Sequence, residues 1–189
     1  MVTRQTFHGE SWRPDWRIDD APLVSLDLET TGLYPERDQR IVEIAAIDDG
    51  GVRFHRRVDP EEQKPGFGGG EERRILFEVC RLLDSVVTVG HNVLFDIHFL
   101  AERCRRHQIP LPTTGVIDTL GLARRFLGDE TENNLESVAT ELDIAIPEEL
   151  HRAIPDARLA RAVLDRFVDI QGLETLADAE VRRVSLHDH

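Results

Sequence analysis

The chain has 189 residues, 40% of them hydrophobic and 31% charged, with a formal net charge of −13. That length suits one domain with a sizeable core and short terminal extensions, and no apolar run approaches the roughly 18 residues of a membrane span. The acidic balance excludes a globally basic clamp on long nucleic acid, because phosphate neutralisation supplies most non-specific affinity.

The charge is unevenly spread. Residues 129–149 hold eight Asp or Glu and no Lys or Arg, whereas arginines cluster at Arg73 and Arg74, at Arg103, Arg105 and Arg106, and at Arg124 and Arg125. These clusters read as solvated helix sides, with phosphate contact as the alternative. Residues 1–20 contain no apolar core of signal-peptide type, so a cytoplasmic protein without a membrane partner is expected. Cys80 and Cys104 form no CxxC pair and read as reduced packing residues on two helices.

Along the chain, "PLVSLDLETTG" alternates Val24, Leu26 and Leu28 with Ser25, Asp27 and Glu29, the period of a strand. "RIVEIAAIDDGGVRFHRRVDP" reads as two strands joined by a turn at Asp48–Gly51. After the Pro- and Gly-rich "EEQKPGFGGG" come a helix through "EERRILFEVCRLLD" and a buried strand at "SVVTVG". A helix through "HNVLFDIHFLAERCRRHQ" follows, with Asn92 at its N-cap. A strand at "GVIDT" precedes helices through "TLGLARRFL" and "LESVATEL", and a last long helix begins at Pro155 and runs to about residue 170. Strands with a hairpin first, then strands alternating with helices, argue for an α/β fold whose mixed sheet is flanked by helices.

The acids invite a chemical reading. Side chains at i and i+2 of a strand share a face, so Asp27 and Glu29 point the same way. Such neighbours repel unless solvated or neutralised by a cation; a half-buried strand with a wet polar face remains the plain alternative. In the last helix, Ala160, Val163, Leu164, Phe167 and Val168 define a core-facing stripe that Asp156 extends towards its N-terminus. Asp96 lies early in its helix, just past a buried strand, where open α/β sheets place sites. His151, in the loop "EELHRAIPD", carries an imidazole, the side-chain type suited to taking a proton near neutral pH. His55 and His107 lie beside arginines and are expected to be exposed.

"SLDLETTGL", "HNVLFDIHFL" and "HRAIPDA", in this order, resemble the three motifs of the DEDDh 3′–5′ exonucleases, in particular the exonuclease (epsilon) subunit of bacterial DNA polymerase III and its stand-alone cousins. The resemblance spans about residues 21–170, leaving 1–20 as an N-terminal extension and 171–189 as a C-terminal helix or tail. It implies a ribonuclease H-like (DnaQ-like) fold with a mixed five-stranded sheet flanked by helices. It assigns Asp27, Glu29, Asp96 and Asp156 to two divalent cations, Mg²⁺ or Mn²⁺. Asp27 would bridge both ions, Glu29 and Asp156 would complete one, and Asp96 would act partly through water. His151 would be the general base. Thr30, Thr31, Gly32 and Leu33 would approach the terminal nucleotide, while His91 and Asn92 would shape the pocket wall and helix cap. Asp118 matches a recurrent family aspartate and reads as an N-cap. Locally, Gly32 also suits a strand-ending turn that needs positive φ.

The chemistry wants such a set. In-line attack on a phosphodiester builds charge on the entering and leaving oxygens, which two cations can stabilise. Hard oxygen ligands suit Mg²⁺. The expected activity is therefore metal-dependent 3′–5′ hydrolysis of DNA, preferably single-stranded, to nucleoside 5′-monophosphates. An RNA or oligoribonucleotide exonuclease on the same scaffold stays open, as does a non-catalytic interaction module. The region "KPGFGGG" departs from the family's histidine-glycine-isoleucine-threonine element, so one groove wall is expected to be reduced. About 19 residues after the last motif helix suggest a stand-alone enzyme; no polymerase partner is indicated. Trp12 and Trp16 are expected to pack onto the domain.

Overall fold

The period-two alternation of the first motif forms strand β1 (Leu23–Thr30) in a computed structural model that describes residues 12–37, 39–58, 70–110, 113–128 and 132–185. It pairs antiparallel with β2 (Ile41–Asp48), which continues into β3 (Gly51–Arg57). At the β2–β3 turn the Gly50 amide donates to Asp48 Oδ1 at 2.8 Å and Gly51 takes φ 110°, a conformation that glycine alone adopts without strain. Residues 64–69 of the Gly-rich "KPGFGGG" segment lie outside the described residues, and its last glycine, Gly70, opens the next helix.

The rest is the expected alternation: α1 (Gly70–Leu83), β4 (Val87–Gly90), α2 (Val93–Arg106), β5 (Thr113–Asp118), α3 (Thr119–Phe126), α4 (Leu135–Glu141) and α5 (Ala153–Gln171). The sheet order is β3-β2-β1-β4-β5-β6, with β1, β4 and β5 parallel. The expected five strands become six because β6 (Arg182–Ser185) pairs antiparallel with β5. Pairing on β5 satisfies backbone groups that a helix in this short segment would have to satisfy alone.

Each face of the sheet is covered. Val24, Leu26 and Leu28 pack with Leu76, Ile97 and Phe99 of α1 and α2. Val87, Val89 and Ile117 pack on the other side with Leu122, Val163 and Phe167 of α3 and α5. The four residues of β4 are all buried, which is why "SVVTVG" shows no alternation. Trp12 is buried, and a Cβ on Gly115 would meet its ring at 2.5 Å. Trp16 is half-buried against the same core. Both tryptophans therefore pack onto the domain as expected. No helix among the described residues is long and apolar enough to cross a membrane.

Several local expectations change. Helix α5 starts at Ala153, so Pro155 is its third residue; the first-turn amides have no intrahelical partner, and proline is tolerated there. Asn92 occupies the N-cap position of α2 in a left-handed conformation, without a side-chain cap. Arg103 is not solvated: Nε and one terminal nitrogen meet buried Glu72 at 2.7 and 2.8 Å, and His107 joins the same carboxylate at 2.8 Å. His55 is likewise half-buried, its Nε2 2.7 Å from Glu43 Oε1. Cys80 and Cys104 are buried free thiols with Sγ atoms 3.4 Å apart, joining α1 to α2.

Candidate active site

Strand β1 pairs with β4 only over Leu23–Ser25. Beyond Ser25 the two parallel strands part, and the C-terminal half of β1 borders an opening of the kind where α/β sheets bind ligands. With Leu26 and Leu28 facing α2, Asp27 and Glu29 face α5. One carboxylate oxygen each from Asp27, Glu29 and Asp156 lie within 4.8 Å of one another. Asp156 reaches this point because the preceding loop starts α5 at Ala153, which puts Asp156 in the first turn of the helix.

Asp96 comes from the other side of the sheet. Its helix packs on the Leu26 and Leu28 face, and its buried Oδ1 accepts the Leu28 amide at 2.9 Å. That backbone donor, lying beyond the β4 pairing, thereby gains an acceptor. Asp96 thus sits under the strand between the two strand acids and outside the 4.8 Å group, so three of the four predicted acids converge directly.

Burial pushes the Asp27 carboxyl up to about 9, and the charges of Asp96, Asp156, Glu29 and Glu43 add to the shift. Burial also raises Glu29, reinforced by Asp156 and Glu43 and partly offset by His151 and Arg152. Asp156 is raised by burial against the attraction of His151. Asp96 is held well above the carboxylate range, burial first, despite the Leu28 hydrogen bond. The buried Asp156 Oδ1 has no hydrogen-bond partner. Converging acids whose ionisation is opposed for want of a countercharge, with one orphaned oxygen, fit a hard divalent cation.

His151 lies in the loop before α5 with φ 61° and its side chain 85% exposed; Nε2 is 3.6 Å from Glu136 Oε1 on α4. The loop after β1 is built by its own polar groups. Thr30 Oγ1 donates to the Gly32 carbonyl at 2.7 Å, and Thr31 Oγ1 accepts from the Arg40 amide at 2.9 Å. Gly32 has no positive φ, so the expected left-handed turn is not what places glycine here; the end of the Gln39 side chain lies over its Cα. Leu33 stands 69% exposed at the loop tip. Arg106 of α2 fixes this loop by donating to the carbonyl of Pro35 at 2.9 Å and to those of Glu36 and Arg37.

His91 and Asn92 do not join the acids. His91 Nε2 donates to the Asn133 carbonyl at 2.7 Å, and Nδ1 lies 3.0 Å from Thr119 Oγ1. Burial lowers its pKa, so it is a neutral tie between loops. The Asn92 amide donates to Asp118 Oδ1 at 2.8 Å, and the same oxygen caps α3 through the Leu120 amide at 3.1 Å. Asp118 is the N-cap it was expected to be.

Sequence reasoning missed Glu43. It stands opposite Glu29 on β2, buried, and gathers His55, Arg57 and Arg152. The signal was present: one glutamate inside the apolar run "IVEIAAI".

A mixed sheet of this order, split beside strand acids, is the ribonuclease H-like architecture of nucleases. The exonuclease family model (RNase_T) matches residues 69–164, just over half of the chain, and the chain belongs to that family. Its match takes in Asp96, His151 and Asp156. Alignment with the 3′-5′ exonuclease DinG of Bacillus subtilis spans 87% of this chain, at 28% identity over 183 residues and 20% of the relative. The PolC-type DNA polymerase III of Latilactobacillus sakei is 33% identical over 160 residues, 76% of this chain and 11% of that protein. The chain thus spans a fifth or less of these relatives' length. Among solved structures, exonuclease X in complex with 5′ overhanging duplex DNA superposes with TM-score 0.55 at 24% identity, over 84% of this chain and 98% of that one. Pop2p of S. pombe, in its Mg²⁺- and Mn²⁺-bound form, gives 0.55 at 15% identity, over 81% and 85%. At these identities the likeness establishes the fold.

Proposed function

We propose that the domain hydrolyses nucleic acid from the 3′ end to nucleoside 5′-monophosphates in a divalent-metal-dependent reaction, with single-stranded DNA as its preferred substrate. The observation that carries this reading is the convergence of Asp27, Glu29 and Asp156 within 4.8 Å, with the partnerless Asp156 Oδ1 among them. Asp27, Glu29 and Asp156 would hold one Mg²⁺ or Mn²⁺, and Asp27 with Asp96 a second. When bound, the cations supply Lewis-acid stabilisation of the entering and leaving oxygens.

The chain's own residues perform the remaining work. His151, exposed ahead of α5, takes the proton of the water that attacks phosphorus as the bond to the leaving 3′ oxygen breaks. Glu136, 3.6 Å from its Nε2, stabilises the imidazolium. Leu33, at the tip of a loop fixed by Arg106, packs on the terminal base and places the last phosphodiester over the acids. His151→Gln is expected to lower kcat about 100-fold with KM within a few-fold. Arg106→Ala, by releasing the loop carbonyls, is expected to raise KM roughly 5-fold with kcat little changed. Single-turnover and steady-state kinetics on one oligonucleotide check both.

The direct test uses 5′-labelled single-stranded DNA and RNA of equal sequence with Mg²⁺, Mn²⁺ or EDTA. A metal-dependent ladder shortening from the 3′ end, faster on DNA, is expected. A faster RNA ladder would move the assignment to an RNA exonuclease. Failure of the folded protein to cut either polymer would overturn the reading. At a net charge of −13, activity is expected to be distributive and to fall as salt rises.

A further inference from the structure

Glu43 is the most heavily paired carboxylate beside the acidic centre. Its side chain is 4% exposed, with His55 Nε2 at 2.7 Å, Arg152 Nε at 3.3 Å and Arg57 Nε at 3.8 Å. Burial opposes its ionisation, but hydrogen bonds from His55 and Arg152 hold its pKa below the ordinary value. Against Glu43 alone the two permanently charged guanidinium groups leave one positive charge, which faces Glu29 in the groove. Among the described residues, Glu43 is the ion-pair partner of both arginines.

Both arginines meet Glu43 through Nε while their side chains remain 66% exposed for Arg57 and 40% for Arg152. The two arginines line a groove of about 510 Å³ together with Glu29, Val42, Val58 and His151. That volume suits a nucleotide-sized ligand. Arg152 is also the N-cap of the 19-residue α5, whose first turn carries no side-chain cap, so the helix dipole adds to the positive rim. In a strongly acidic chain, this rim adjoins the carboxylates that a metal would neutralise.

We propose that Arg57 and Arg152, held side by side by Glu43, form a phosphate subsite that takes a backbone phosphodiester of the substrate strand next to the scissile one. The planar guanidinium fork suits phosphate oxygens better than a point charge. Glu43 accepts a hydrogen bond from Arg152 at 3.3 Å and draws Arg57 to 3.8 Å, which reduces the rotamer freedom lost on binding. The proposal rests on the nuclease reading and gives it a second contact point along the strand.

The test compares a single-stranded oligonucleotide of about ten nucleotides with the p-nitrophenyl ester of thymidine 5′-monophosphate, which has a scissile bond but no neighbouring phosphodiester. Arg57→Gln and Arg152→Gln are each expected to raise KM for the oligonucleotide about 10-fold, with kcat within about 2-fold. Neither should change KM for the ester. The slope of log KM against log salt should fall by about one for each arginine removed, and Arg57→Lys should recover part of the loss. Equal losses on both substrates, or an unchanged oligonucleotide KM, would overturn the subsite and leave the arginines as countercharges for Glu43.

Fluorescence anisotropy of the labelled oligonucleotide in EDTA reads binding without cleavage. If the wild-type protein cut neither substrate, the nuclease reading would fall alone. Weaker anisotropy binding by Arg57→Gln would still support the subsite, and unchanged binding would overturn it. Circular dichroism confirms that each variant is folded.

Discussion

Asp27→Asn is expected to abolish metal-dependent cleavage, by at least about 1,000-fold, and at the same time to raise the melting temperature of the metal-free protein. The first effect follows from losing one of the three converging acids, whose cation stabilisation is worth several kcal/mol. The second follows from electrostatics. Burial first, and then the charges of Asp96, Asp156, Glu29 and Glu43, push the Asp27 pKa up to about 9, so the metal-free fold must keep this carboxyl protonated near neutral pH at a cost. An amide of the same shape has no ionisation to suppress and opens no cavity. Activity assays beside thermal melts in EDTA check both halves. A variant that lost activity and stability together would mark Asp27 as a structural acid and contradict the site.

Metal-free protein is expected to lose stability as pH rises from about 4 to about 9, and added Mg²⁺ or Mn²⁺ to restore it most at the alkaline end. The sign follows from proton counting. With the folded pKa of Asp27 near 9 against a reference of 3.8, the native state holds a proton across that window which the unfolded chain has lost. Stability must therefore fall with pH there. Glu29, Asp96 and Asp156 are shifted in the same direction. Glu102 acts oppositely: hydrogen bonds and charge from Arg105 and Arg106 hold it near 2, so its contribution is lost only on acidification below about pH 4. A cation that binds ionised carboxylates removes the alkaline penalty. At about 100 times its dissociation constant it adds about 3 kcal/mol. Melting curves at about pH 6 and about pH 8.5, with and without metal, read this. A metal shift equal at both pH values, or larger at the acidic one, would count against cation binding by these groups.

Much of the architecture was legible because periodicity is a local property. The alternation in β1, the apolar run of β4 and the 3.6-residue stripe of α5 each follow from neighbours along the chain. Strand β6 was not legible, since "VRRVS" has little pattern of its own and becomes a strand only because β5 offers an open edge. Arg103 read as solvated for the same reason: its partner Glu72 lies on another helix.

The candidate site divides along the same line. The sequence by itself determined the chemical inventory. Two acids two residues apart in a strand must share a face, and an acid four residues before Ala160 must extend the α5 stripe. Those constraints come from backbone geometry within single elements. Only the tertiary structure decided that Asp27, Glu29 and Asp156 meet within 4.8 Å while Asp96 approaches from the other side of the sheet to accept the Leu28 amide. It alone laid the Gln39 side chain over Gly32 and turned Glu43 into the ion-pair partner of Arg57 and Arg152. The physical reason is that charge, burial and hydrogen-bond partners act through space. Glu43 and Arg152 are 109 residues apart along the chain and 3.3 Å apart in the fold.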